Sequence, residues 1–355
     1  MAESPPTLQL AALTHDVKTL LDNLPDLEHN RYIQRALGVL VRLTQEEVDR
    51  LDWKILSAAL EDLERGFQGF YPTRHVRKVS IFGSARTPAH KPVYRMAVEF
   101  ARRMTQMGFM VITGAGDGIM AAGNEGAGRE NSFGLNIRLP FEQGANPHIA
   151  DDPKLLSFKY FFTRKLFFLK ESDAIALFPG GFGTLDEAFE SLTLLQTGKY
   201  GPAPVVFIGD PGSDYWNSLD YHIREHLLRE GLISPDDPSI YTVTDDLDVA
   251  CGVISRFYRV YHSSRYVNQK FVMRLNCELA DEAVEFLNRE FSDLLVQGKI
   301  EKTETLPEEK GDETEHLPRL IFEFNQKDAA RLCQMINKIN QLGAFLPESD
   351  HPERK

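Results

Sequence analysis

The stretch Ile175-Ala-Leu-Phe-Pro-Gly-Gly-Phe-Gly-Thr-Leu-Asp-Glu-Ala-Phe-Glu190 decides the fold. It opens on an apolar run of strand length, Ile175–Phe178, with the character of a fully buried strand. Three glycines follow within four residues, and they let the backbone bend through positive φ and come close to a ligand. From Thr184 the pattern is that of a helix start. Amides at such a start have no partner inside the helix, so they point at an anion, and the helix dipole adds to the attraction. Strand, glycine turn and helix together make one unit of an α/β fold.

Working outward, the same alternation recurs from Lys78 to about His262. Strands are predicted at Val79–Phe82, Met110–Thr113, Phe133–Arg138, Ala174–Phe178, Pro204–Ile208 and Ser239–Val243. Amphipathic segments lie between them, at Val93–Met107, Tyr160–Lys170, Thr184–Gln196 and Tyr215–Arg229. Short buried strands alternating with helices imply a Rossmann-like, doubly wound parallel sheet covered on both faces.

Two flanking zones differ. In residues 1–72, Val17, Leu21 and Leu24 and then Ile33, Leu37 and Leu40 recur at helical spacing. Thr44 followed by Glu47 reads as a capping box opening a third helix through Trp53, Leu56, Leu60 and Leu63, which Pro72 ends. Residues 73–262 are then the Rossmann-like domain and 263–355 a small α+β module. That module reads as strand Phe271–Leu275, helix Ala280–Val296, strands Lys299–Glu304 and Arg319–Phe324, and helix Lys327–Leu342. The order suggests a ferredoxin-like arrangement with one strand absent or borrowed. The link Thr305–His316, rich in Glu, Asp, Lys and Pro, is expected to be mobile.

Composition narrows the function classes. With 355 residues, 42% hydrophobic and 26% charged, the chain has the make-up of an ordinary globular protein. A net charge of -12 argues against broad contact with a nucleic-acid backbone, yet leaves room for a small anion held by amides and an arginine. Cys251, Cys277 and Cys333 are sparse and form no C-x-x-C, which points to reduced thiols and a cytoplasmic location. The start MAESPPTLQL lacks a basic stretch followed by an apolar core, so no signal peptide is expected. No apolar run approaches membrane-spanning length, and no membrane partner is expected.

In an open α/β sheet, ligands sit beyond the carboxyl ends of the strands. Three such turns are rich in small residues: Gly83-Ser84-Ala85-Arg86, Gly114-Ala115-Gly116-Asp117-Gly118 and Gly180-Gly181-Phe182-Gly183-Thr184. One glycine turn is commonly structural, but three at successive strand ends point to one shared anion site. None fits the Walker pattern, and the first lacks the G-x-G-x-x-G of a dinucleotide site. Thr184 is placed to cap its helix and to donate its hydroxyl to a phosphate oxygen.

These residues carry a family resemblance. Pro179-Gly-Gly-Phe-Gly-Thr-Leu-Asp-Glu187 resembles the P-G-G-x-G-T-x-x-E signature of the LOG (Lonely Guy) family, whose members are often mislabelled lysine decarboxylases. Arg164-Lys165 resembles the R-K pair upstream of it, Gly83-Ser84 and Gly114–Gly118 its first two loops, and Gly134–Pro140 the third-strand segment of larger bacterial members. The resemblance covers about residues 77 to 230. It implies a phosphoribohydrolase that cleaves the N-glycosidic bond of a nucleoside 5′-monophosphate, a purine nucleotide such as AMP or a cytokinin nucleotide, to free base and ribose 5-phosphate. It also implies a homodimer or higher homo-oligomer and no cofactor. Lysine decarboxylation would need pyridoxal phosphate, and the family pattern supplies no lysine to bind it.

Cleaving that bond builds oxocarbenium character on the ribose, so a nearby carboxylate is the expected helper. Glu187 lies about one turn into the helix whose start would hold the 5′-phosphate, and Arg164 is the matching family arginine that orients Glu187 or the nucleotide. These two are the catalytic candidates. Gly83, Ser84, Gly114, Gly116, Gly180, Gly181, Gly183, Thr184 and Glu190 are the substrate-binding candidates, Glu190 because it shares a helical face with Glu187 and could position that carboxylate or the ribose hydroxyls. The plain alternative for Glu187 is compensation of the helix dipole. For Asn136, satisfying strand-end backbone groups competes with touching base or ribose, and it stays outside the catalytic set. His222-Ile-Arg-Glu-His226 matches a zinc-peptidase pattern, but no third ligand is evident, so no metal is expected. The competing function is a binding protein on the same scaffold, carrying molybdenum cofactor or sensing nucleotides without hydrolysis; the Arg164–Glu187 pair favours catalysis.

Overall fold

The structure, a computed structural model, describes residues 6–138 and 144–343. The last two residues of the Gly134–Pro140 stretch and the end of the chain after residue 343 lie outside the described residues. Two compact units are present, Met1–Leu60 and Glu61–Lys355.

The first unit contains α1 (Pro6–Asn23), α2 (Asn30–Leu43) and the first half of α3 (Arg50–Phe70). Its described residues bury only Leu24 and Ala58, and the stripe through Val17 and Leu21 stays exposed. Thr44 does not open α3. Its hydroxyl donates instead to the Val41 carbonyl (2.7 Å) at the end of α2, and α3 starts at Arg50. Threonine side chains bond readily to the preceding turn, and here that local bond replaces the expected box.

The second unit begins with the rest of α3 and continues with β1 (Lys78–Phe82), α4 (Pro92–Gln106), β2 (Met110–Thr113), α5 (Ile119–Ala127) and β3 (Ser132–Ile137). Next come β4 (Leu155–Phe158), α6 (Phe161–Lys170), β5 (Ala174–Leu177), α7 (Phe182–Gln196), β6 (Val205–Ile208), α8 (Tyr215–His222), β7 (Tyr241–Thr244) and α9 (Leu247–Phe257). The seven strands form one parallel sheet in the order β4-β3-β2-β1-β5-β6-β7, with Val79 opposite Val111 on one side and Ala174 on the other. Strand side chains alternate between two cores, as period two requires. Val79, Ile81, Val111 and Val206 pack under α4, α5 and α9. Phe82, Ile112, Leu177 and Phe207 pack under α6, α7 and α8. This is the doubly wound α/β sheet that the strand–helix alternation implied.

Two strands differ from expectation. β4, an edge strand of alternating burial, was not foreseen, because Leu155-Leu-Ser-Phe158 is only four residues long and follows a polar loop. The strand expected at Ser239–Val243 starts at Tyr241, since Pro238 opens a 3₁₀ turn over Asp237–Ile240.

The remaining chain forms β8 (Tyr261–Val267), β9 (Lys270–Leu275), α10 (Asp281–Glu290), β10 (Glu301–Thr303), β11 (Arg319–Phe322) and α11 (Ala329–Leu342). Its four-stranded antiparallel sheet runs β10-β11-β9-β8, with Met273, Leu320 and Phe322 packed against Leu287 of α10 and Ile336 of α11. β9 and β10 run parallel with β11 between them, which is a split β-α-β unit. The strand missing from the sequence reading is β8, which precedes the unit and hairpins onto β9. Its polar run Ser263-Ser-Arg265 hid it.

Thr305–His316 is not the free link that its composition predicts. Glu309 is fully buried and takes hydrogen bonds from Arg274 and Arg319, while the Thr305 hydroxyl donates to the Glu315 carbonyl (2.6 Å). A disorder-like composition is overridden where its one key carboxylate meets two buried guanidinium groups.

Candidate active site

β1 sits at the centre of the sheet, with β2 on one side and β5 on the other, so the strand order reverses between β1 and β5. The loops leaving these strands diverge there and open a crevice. The crevice is a cavity of about 1060 Å³. From the first loop it is lined by Gly83, Ser84 and Arg86, and from the second by Gly114, Gly116 and Asp117. Gly180, Gly181, Gly183 and Thr184 line it from the third, and Arg164 and Glu187 from α6 and α7. Asn136, set aside in the sequence reading, lines it too.

The loops are locked to one another. Gly180 packs so closely that a Cβ there would lie 2.1 Å from Thr184 Oγ1 and 2.9 Å from the Ser84 amide. That amide donates to the Pro179 carbonyl (3.1 Å), and the Tyr215 hydroxyl donates to the Gly180 carbonyl (2.5 Å). Gly118 adopts φ +64°, and any side chain there would strike the Ser84 carbonyl. In the second loop Ala115 is held at φ +62°, a sparsely populated conformation for a residue with a Cβ. Hydrogen bonds from its amide to Thr113 Oγ1 (3.0 Å) and to its carbonyl from the Asn146 amide (2.8 Å) fix it there. Buried Asn124 joins Thr113 and Asn146 into one network.

α7 starts one turn earlier than expected. Gly181, not Thr184, occupies the cap, and no side chain caps the helix. A backbone that turns in through glycine leaves the first-turn amides of α7 open toward the cleft. Thr184 lies buried in that first turn, and the Ser84 hydroxyl accepts from the Arg86 amide (3.1 Å).

Glu187 is 7% exposed. Burial pushes its carboxyl above the ordinary glutamate value; the Lys165 ammonium opposes that rise, Glu190 adds to it, and Arg164 is a lesser counterweight. Lys165 Nζ lies 3.3 Å from Glu187 Oε1, 3.0 Å from Asp186 Oδ2 and 2.6 Å from Glu190 Oε2. Arg164 stands on the cleft side, its guanidinium 5.0 Å from the centre of the Phe161 ring and 5.7 Å from that of Phe168. Glu190 does not reach the cleft. It lines a groove along α7 with Lys165, Phe182 and Phe189.

Of these consecutive residues of α6, Arg164 thus lines the cleft while Lys165 pairs with carboxylates of α7, and an anchor on α3 fixes α6. Asp62, 2% exposed, accepts hydrogen bonds from the Lys159 amide (2.9 Å), the Tyr160 amide (3.2 Å) and the Thr163 hydroxyl (2.7 Å). It ties the approach to α6 and the Thr163 side chain of its first turn to α3, across as many as 101 residues. Asp62→Ala leaves these donors unmet, and the expected loss is about 3 kcal/mol. Equilibrium urea unfolding measures it; an unchanged midpoint would show that α6 holds its own start.

Lys165 and Asp62 are the residues that sequence reasoning missed. Lys165 was visible within the Arg164-Lys165 pair, whereas Asp62 carries no local signal, since its partners are far along the chain. His222 and His226 stack one turn apart, ring centres 4.9 Å from each other, on α8 and its π-helical continuation Ile223–Leu228. Among the described residues no three His, Cys, Asp or Glu side chains gather as a metal site. No helix among them is long and apolar enough to cross a membrane.

Residues 115–252 match the family described as "Possible lysine decarboxylase". The chain thus resembles the LOG family of the sequence motifs, whose members often carry that label. Among LOG-family relatives, it is 35% identical over 91 residues to a cytokinin riboside 5′-monophosphate phosphoribohydrolase of Rhodococcoides fascians, a match covering 26% of this chain and 44% of that one. The match therefore spans less than half of that relative's length. A Mycobacterium tuberculosis protein of the same name is 27% identical over 170 residues, covering 46% of this chain and 86% of its own. A molybdenum cofactor carrier protein from Chlamydomonas reinhardtii aligns in structure at 17% identity and a TM-score of 0.34, covering 51% of this chain and 97% of that chain.

Proposed function

We propose that the chain hydrolyses the N-glycosidic bond of a nucleoside 5′-monophosphate, releasing a free base and ribose 5-phosphate. The observation that carries this reading is a buried carboxylate, Glu187, one turn beyond a glycine-capped helix start, inside a cavity of about 1060 Å³ at the sheet's switch point. The first-turn amides of α7 and the Ser84 loop receive the 5′-phosphate. The ribose then extends along α7 toward Glu187, whose ionised carboxylate stabilises the oxocarbenium-like centre and orients the attacking water. Arg164 holds the nucleotide or the carboxylate through forked hydrogen bonds. The names of the matched relatives, two phosphoribohydrolases, support this chemistry. Residues 73–262 form the catalytic part in this reading.

The cellular setting belongs to the same proposal. Free cysteines suit a reducing cytoplasm. Exposed Phe161, Phe162, Leu166, Phe182 and Phe189 on α6 and α7 suit a homodimer. The function is tested by incubating the protein with AMP, GMP, CMP and a cytokinin riboside 5′-monophosphate and separating the products. Release of base with equimolar ribose 5-phosphate is expected from at least one of them. Tight nucleotide binding with no release from any would favour a carrier or sensor on the same scaffold.

A further inference from the structure

Lys165 of α6 packs against the helix that carries Glu187, its ammonium 3.3 Å from the Glu187 carboxylate. It does not line the cleft; it lines the groove along α7, and its side chain is 14% exposed. One ammonium there meets three carboxylates, those of Asp186, Glu187 and Glu190. Asp186 is largely exposed and Glu190 partly so, while Glu187 is buried. Of the three contacts, only the one to Glu187 therefore leads from this groove to a buried acid of the cleft.

We propose that Lys165 is a positioning residue: held by Glu190 and Asp186, its ammonium keeps the Glu187 carboxylate charged and fixed at the wall of the cleft. The inference rests on the reading of Glu187 as the helper of N-glycosidic cleavage, and it assigns Glu190 to holding Lys165 rather than to binding the substrate. The charged groups around Glu187 are few. Lys165 and Arg164 face it from α6, Asp186 and Glu190 come from α7 itself, and Arg86 and Asp117 line the same cavity from the first two loops. Burial works against the lysine ammonium, but the hydrogen bond to Glu190, with Glu187 and Asp186 nearby, outweighs it and holds Lys165 above its ordinary value. The Lys165 ammonium thus stays protonated at neutral pH, and removing it or Glu190 changes the charge felt by Glu187 in opposite directions.

The test uses the full chain with Lys165→Met, Lys165→Arg and Glu190→Gln. In protein carrying ¹³C-carboxyl glutamate, the Glu187 signal is assigned by its loss in Glu187→Gln and titrated without substrate. Lys165→Met is expected to raise the Glu187 midpoint by about one pH unit or more, Glu190→Gln to lower it, and Lys165→Arg to leave it within about half a unit. With the nucleotide that wild type cleaves fastest, Lys165→Met is expected to lower kcat at least about tenfold with KM within about threefold, and the acid limb of the pH profile to follow the titration. Lys165→Arg is expected to restore most of kcat. An unmoved Glu187 midpoint in Lys165→Met overturns the proposal, as does a rise in KM alone, which would make Lys165 a substrate contact. If wild type releases no base from any nucleotide, the hydrolase reading fails, while the titration still decides whether Lys165 governs Glu187.

Discussion

Glu187→Gln is expected to lower base release by about 10³-fold, with nucleotide affinity within about threefold of wild type. The change removes one negative charge and almost no volume from a side chain that is 7% exposed. A glutamine in that place still accepts a hydrogen bond from Lys165, so the thermal midpoint should shift little. What it cannot do is oppose the positive charge that grows on the ribose as the base leaves. A factor of 10³ corresponds to about 4 kcal/mol of transition-state stabilisation, within reach of one well-placed carboxylate in a water-poor cleft. The pH dependence carries a sign. Burial raises the Glu187 carboxyl above the ordinary glutamate value, so the fraction ionised, and kcat/KM with it, rises with pH through that elevated value rather than near the usual one. In Glu187→Gln this acid limb should vanish. Undiminished release by the variant would remove Glu187 from the chemistry and leave the cleft as a binding site.

How much of this was legible in the sequence follows from where each residue's partners lie. The glycine turn Pro179–Thr184 and the strands around it could be read locally, because a fully apolar strand and a glycine pair carry their meaning within a few residues. The pairing of Gly180 with Ser84 across the switch point follows once parallel order is granted. β4 and β8 could not be read, since a four-residue segment and a strand interrupted by the polar run Ser263-Ser-Arg265 each match a loop equally well. Helix phase sets Glu190 beside Glu187 at i+3, and the Lys165 ammonium meets both carboxylates; that Glu190 lines the groove with Lys165 rather than the cleft had no local signal. Asp62 was beyond reach for a different reason: anchoring the start of a helix as far as 101 residues away is a tertiary fact with no local pattern.

Glu309→Ala is expected to destabilise the carboxy-terminal sheet by about 3–5 kcal/mol. Glu309 has no exposed surface. Its Oε1 accepts from Arg274 Nε (3.0 Å) and Nη2 (2.5 Å), and its Oε2 from Arg319 Nε (2.9 Å). Arg319 is itself 2% exposed and continues to the carbonyls of Thr314 (3.0 Å) and Glu315 (3.1 Å), so one carboxylate ties β9, β11 and the link between β10 and β11 together. Alanine would leave two guanidinium groups buried with only Asp312, 3.1 Å from Arg274 and partly exposed, to offset them. Uncompensated buried charge is the costly state, more so than the missing hydrogen bonds. The contrast variant is the triple change Arg274→Met, Glu309→Leu and Arg319→Met, which removes all three charges and should lose far less. The pH dependence again has a definite sign. Burial works against the Glu309 carboxylate, but the two arginine hydrogen bonds outweigh it and hold its value below the ordinary glutamate range. Its contribution is therefore complete above the unfolded-chain value of about 4.3 and is lost as pH falls through the lower folded value. Hydrogen exchange at the β9 and β11 amides, followed from neutral pH into acid, reads both effects. Protection in Glu309→Ala equal to wild type would show that the apolar core of Met273, Leu320 and Phe322 holds this sheet without the ion network.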